Sequence, residues 1–277
     1  MTAVALALGA SLAWGLGDFL GGLKSRALHV ATVLALSQLA GLAAVLVWLA
    51  LSDDGFPGWD AVAWAAGAGV GGAVGLAALY RGLAVGAMGI VAPISAVSAA
   101  IPFAVGVAGG ERPTALQVAG VVVALAGVAL ASREPGPAGG GRAAGVGLAL
   151  VAAAGFGTFF VLLDRAAGES VPYAVACARG TSVVLSVGAA LLLGATLRPA
   201  ARHLPAVAAV GLCDVGANVL FALASTRGYL SVVSVLTSLY PIVTVALAAV
   251  LLHERIARGQ RAGVAAALAG AALITVG

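Results

Sequence analysis

QVAGVVVALAGVAL, residues 117–130, returns near the end of the chain as QRAGVAAALAGAAL, residues 260–273. The two stretches align without gaps at an offset of 143, with ten identities in fourteen positions. Alanine-rich runs match one another by chance, so the weight falls on two other features. One is the shared leading glutamine. The other is Glu111-Arg112, which recurs as Glu254-Arg255 at the same offset. Closer to the start of each half, Trp14-Gly15 pairs with Phe156-Gly157 at an offset of 142. The chain reads as one unit written twice.

Each copy is almost entirely apolar. Hydrophobic residues make up 62% of the chain and charged residues 9%, where a soluble protein carries roughly a quarter. Forty glycines add to the case, because membrane helices use glycine more than soluble ones do. The natural solvent is a bilayer. The net charge of +4 is small and scattered, which argues against a nucleic-acid partner. Cys177 and Cys213 lie inside apolar runs and read as small buried hydrophobes. The apolar start has no basic lead-in and runs on as a spanning segment, so no cleavable leader is expected.

A spanning helix needs about 20 apolar residues. Ten segments qualify: 3–22, 30–51, 61–80, 86–108, 115–132, 143–163, 172–195, 205–225, 229–251 and 260–277. The breaks between them carry the charges and turn formers, as in SDDGFPGWD and TLRPAARHLP. The expected fold is all-α and integral to the membrane, with ten transmembrane helices. The first repeat covers 1–132, a linker 133–142, and the second repeat 143–277. Five is odd, so the two copies must enter the bilayer in opposite directions. Inverted repeats of this kind mark secondary transporters, with the substrate site near the midplane between the halves.

Three stretches carry a family resemblance: AWGLGDFLGG (13–22), VAPISAVSAAIPFAVGVAGGERPTALQVAG (91–120) and LTSLYPIVTVALAAVLLHERIARGQ (236–260). With these the chain resembles the drug/metabolite transporter superfamily, in its ten-helix EamA-like branch. There each half ends with a proline-bearing helix, then Gly-Glu-Arg, then a glycine-rich helix. The second half fits, with Pro241 thirteen residues before Glu254 and His253 in place of the glycine. The first half departs: Ser98 occupies the equivalent position, and the prolines are Pro93 and Pro102. The resemblance implies a transporter of amino acids, other metabolites or drugs. It also implies a central cavity lined by the first, third, fourth, sixth, eighth and ninth spans.

Charged side chains at membrane depth are rare and mark function. Asp214 lies nine residues into the eighth span, with Asn218 one turn on along the same face. The pair reads as a contact for a substrate amine or as a proton carrier, against a structural ion pair. Arg179 lies seven residues into the antiparallel seventh span, about 6 Å from Asp214 in depth. It either pairs with Asp214 or extends to its own interface. Asp18 shares a face with Trp14 and Ser11 and is the second candidate for proton coupling. Ser231, Ser234, Ser238 and Pro241 form a polar stripe on the ninth span, and Ser95, Ser98 and Pro102 a shorter one on the fourth. Hydroxyls of this kind either face a cavity or bond carbonyls of their own helix. Gly67, Gly71 and Gly75 recur every fourth residue, the spacing that lets two helices approach closely.

The expected cavity wall is Trp14, Asp18, Tyr80, Ser95, Ser98, Asp214, Asn218, Ser234 and Ser238. No catalytic set, metal-ligand cluster or phosphate loop is visible, and no cofactor or metal is expected. Lysines and arginines number ten in the odd-numbered connections and three in the even ones, which places the odd connections in the cytoplasm. The expectation is a multi-pass protein of the bacterial inner membrane. It would export small metabolites by alternating access, driven by protons or a substrate gradient, as a monomer or homodimer. A lipid-carrier translocase or a non-transporting scaffold or sensor on the same fold is the alternative.

Overall fold

The computed structural model describes residues 2–25, 27–85, 96–131, 142–251 and 258–277. Among them there is no strand. The helices are α1 (Thr2–Ser25), α2 (Val30–Leu51), α3 (Trp59–Val85), α4 (Ala100–Ala108), α5 (Ala115–Ala131), α6 (Arg142–Ala167), α7 (Val171–Leu192), α8 (Leu204–Ser225), α9 (Leu230–Thr237), α10 (Tyr240–Leu251) and α11 (Arg258–Val276). Six of the segments are long and apolar enough to cross a membrane by length and composition; three shorter apolar ones accompany them. The chain is a multi-pass membrane protein.

Local chemistry sets the helix ends. Ser170 caps α7 by accepting from Tyr173 N, and Pro172 sits in the first turn, where its missing N–H costs nothing. His29 Nδ1 accepts from Ala31 N at the start of α2. The ninth span is broken. Its helix stops at Thr237 and resumes at Tyr240. Pro241 explains the break, because it offers no N–H to the carbonyl of Thr237 one turn back. The fourth span is also irregular, with a 3-10 turn over Ala96–Ala99 before α4.

Glycine-lined contacts hold the bundle together. Helix α3 packs along α6, α1 along α8, and α5 along α11. On α3, Gly71 lies against the Gly155 carbonyl and Gly75 against Phe156, so the fourfold glycine spacing is spent on close helix approach. The α5–α11 seam joins the two quoted copies. A Cβ at Gly127 would lie 2.7 Å from the Gly263 carbonyl, and one at Gly270 would lie 2.6 Å from the Gly120 carbonyl. Residue 120 thus faces 270 and 127 faces 263, so the two helices run antiparallel. Gly120 and Gly263 are repeat partners, as are Gly127 and Gly270.

The same exchange recurs elsewhere. A Cβ at Gly15 would lie 2.8 Å from the Tyr240 carbonyl, and one at Gly157 would lie 2.9 Å from the Ser98 carbonyl. Each residue of one contact stands 142 positions from its counterpart in the other.

Candidate functional site

A cavity of about 570 Å³ lies between the halves. Its rim carries Ser25 and His29, at the junction of α1 and α2, and Leu193 just past the end of α7. Its inner wall carries Trp14, Asp18, Gln38, Ser98, Arg179, Asp214, Asn218 and Tyr240. It therefore opens toward the first and seventh connections and ends near the middle of the bundle.

An aromatic cluster forms the inner end. Trp14 packs edge-on against Phe160, with ring centroids 5.7 Å apart, and Phe160 packs against Phe221 at 4.8 Å. Phe159 and Tyr240 complete the contacts around Trp14. Such rings give large apolar contact in preferred edge-to-face geometries.

A four-residue polar network stands on this cluster. Trp14 Nε1 donates to Asp214 Oδ1 across 2.8 Å. Arg179 Nη1 forms an ion pair with Asp214 Oδ2 and also donates to Gln38 Oε1. Helices α1, α2, α7 and α8 each supply one member. Close approach makes it possible. A Cβ at Gly211 of α8 would lie 3.1 Å from Gly41 N of α2, and one at Gly41 would lie 3.5 Å from Arg179 Nε. Small residues at 41 and 211 therefore let α2, α7 and α8 converge on the guanidinium.

The network is graded in exposure. The Arg179 side chain is 3% exposed and that of Asp214 31%. The guanidinium lies behind the carboxylate, and Asp214 presents the pair to the cavity. Arg179 does not extend to its own interface. An unpaired cation at this depth would be far costlier than the pair, which removes most of the charge without removing the dipole.

The other predicted residues fall into three groups. Asp18 lines the cavity and is exposed to it, with no hydrogen-bond or ion-pair partner among the described residues. Ser98 and Asn218 also line it. Asn218 is buried and its Oδ1 has no partner. Ser234 and Ser238 do not reach it. Both are buried, and their hydroxyls donate to Ser231 O and Val235 O of their own helix turn. In an apolar span the nearest acceptor for a hydroxyl is the carbonyl one turn back, and here it wins. Tyr80 belongs to α3, its side chain outside the described part, and Ser95 lies outside the described residues. So do Pro93 and Glu254.

Two helices join the wall beyond those the family resemblance implies, α2 and α7, and they bring Gln38 and Arg179. Gln38 has a signal in the sequence: it is the lone amide in the apolar run VATVLALSQLAGLAAVLVWLAL, residues 30–51. Among the described residues no group of His, Cys, Asp and Glu side chains is placed to hold a metal ion.

An all-helical membrane bundle with a largely apolar cavity at the seam of its halves, set with a few polar and charged side chains, is the architecture of a membrane carrier. The sequence pattern of the EamA-like transporter family matches residues 1–133 and 143–276. The chain belongs to that family, within the drug/metabolite transporter superfamily. A solved crystal structure of a protein 21% identical in sequence superposes with a TM-score of 0.81, over 99% of this chain and 96% of that one. No curated protein matches the chain.

Proposed function

We propose that the protein is a secondary transporter of small metabolites working by alternating access, and an exporter in the bacterial inner membrane. Two inverted five-helix units, 1–132 and 143–277, would enclose the site, joined by the linker 133–142. The antiparallel α5–α11 seam and the contacts repeated 142 positions apart support this arrangement.

The observation that carries the reading is the cavity itself. It is open at one end, closed at mid-depth by aromatic rings, and walled by two carboxylates. A collapsed core without such a space would favour a scaffold or sensor instead. Asp18 is the free carboxylate and takes a proton or the cationic group of a substrate. Asp214 is already neutralised by Arg179 and serves as a fixed hydrogen-bonding edge beside Asn218. By the charge bias of the connections, the cavity in this conformation faces the cytoplasm.

The test is an uptake screen of amino acids, polyamines and cationic drugs in proteoliposomes, with and without a pH gradient. The wild type is compared with Asp18→Asn and Asp214→Asn. Uptake of at least one class is expected, with the response to the gradient lost in Asp18→Asn. No uptake of any class by a correctly folded preparation counts against transport. A gradient response untouched in Asp18→Asn removes the proton role.

A further inference from the structure

At the end of the bundle away from the cavity mouth, two side chains tie the halves together: Thr114, whose Oγ1 donates to Gly277 O across 3.4 Å, and Glu111. Helix α4 ends at Ala108, and Gly110, at φ +102°, turns the chain back so that Glu111 N donates to Gly106 O across 3.0 Å. The Glu111 side chain lies over Gly106. A Cβ at that position would fall 2.9 Å from Glu111 Oε1. Through this notch the carboxylate reaches the other half of the molecule. Leu230 N donates to Oε1 across 2.7 Å and Ser231 N donates to Oε2 across 3.0 Å.

These are the first two N–H groups of α9, whose own N-cap residue, Tyr229, supplies no side-chain bond. The helix is therefore capped from the opposite repeat, by a full negative charge at its positive end. Every residue of α9 is buried, and the helix stops one turn short of Pro241. It is a short, fully buried piece with a break at one end and the Glu111 fastening at the other.

We infer that Glu111 is a positioning residue acting as the latch between the halves: its hold on α9 keeps this end shut while the cavity opens at the other. The inference rests on alternating access. Releasing the latch shifts the population toward the state open at the Glu111 end, and the mouth at the Ala189 end closes in compensation.

The experiment uses the full-length protein with Cys177 and Cys213 replaced by alanine. A single reporter cysteine is placed at Ser231, in the latch, or at Ala189, in the cavity rim. Proteoliposomes are labelled from each side with a charged, membrane-impermeant thiosulfonate. Glu111→Gln is expected to raise labelling at position 231 by about tenfold, the shift that follows the loss of one charge-assisted contact. Labelling at position 189 should fall in the same preparation. Local fraying of α9 would raise the first rate and leave the second unchanged, and that outcome overturns the latch. So does an unchanged pair of rates. If Glu111→Gln does not fold, Gly106→Ala displaces the carboxylate instead and must give the same reciprocal change. Wild-type uptake alongside unchanged labelling in the variant separates failure of the latch from failure of the transport reading; absence of uptake addresses the latter alone.

Discussion

Trp14 and Asp214 stand 200 residues apart in the chain and 2.8 Å apart in the fold, the indole N–H donating to the carboxylate. With Arg179 on the other oxygen, both acceptor edges of Asp214 are occupied. The residue most conspicuous in the sequence is thus already committed, and Asp18, one turn beyond Trp14 on α1, is the carboxylate left free.

Breaking the pair should be asymmetric. Asp214→Asn leaves Arg179 charged and buried, at a cost of about 3 to 5 kcal/mol. Arg179→Gln leaves an aspartate that cavity water can reach, and the cost is smaller, about 2 kcal/mol. Thermal unfolding in detergent should rank them in that order. Combining the two changes should cost clearly less than their sum; additive effects would show that the pair is not coupled.

Trp14→Phe keeps an aromatic ring against Phe160 and removes the donor to Asp214. A loss of about 1 to 2 kcal/mol is expected. Trp14→Ala also empties the space inside the cluster and should cost about 3 to 5 kcal/mol. Equal destabilisation by the two variants would mean that the hydrogen bond contributes nothing.

The serine stripe supplies a negative control. Ser234→Ala and Ser238→Ala each remove a hydroxyl that bonds its own helix, and uptake should stay within about twofold of wild type. Asn218→Ala removes an amide from the cavity wall and should lower uptake about tenfold. Equal effects at all three positions would place the substrate elsewhere.

Glycines can be sorted by what faces them. Gly127→Ala drives a methyl group into the backbone of α11 and should destabilise by about 1 to 3 kcal/mol. Gly216 lies within α8 with nothing inside 4 Å of a Cβ there, so Gly216→Ala should stabilise by about 0.5 to 1 kcal/mol. Melting temperatures of the two variants in one detergent decide it.

Much of the helix map could be read from the residues alone. The expected spans 30–51 and 205–225 reappear as Val30–Leu51 and Leu204–Ser225, because charges, prolines and glycines punctuate an otherwise uniform apolar chain. The close packing of α3 was legible in its glycine spacing. Partner choice at the site was not. The Arg179–Asp214 pairing remained one of two readings, since depth along antiparallel helices brings two residues level without saying which faces turn together. Gln38 was visible as a lone amide and went unused. The serine stripe misled for a physical reason: helical spacing places hydroxyls on a common face and leaves undetermined whether each turns inward to its own carbonyl. Phe159 and Phe160, which build the inner wall against Trp14, look in sequence like ordinary lipid-facing bulk.

The seam between α5 and α11 has a consequence for how this chain can change over generations. Its notches interlock backbone to backbone, so a methyl gained at Gly127 or Gly270 meets main chain that no side-chain exchange on the opposite helix removes. The two copies are therefore free to drift apart over most of their length yet remain bound to a shared inheritance along this line. A lineage that adds a side chain at residue 127 should be short-lived.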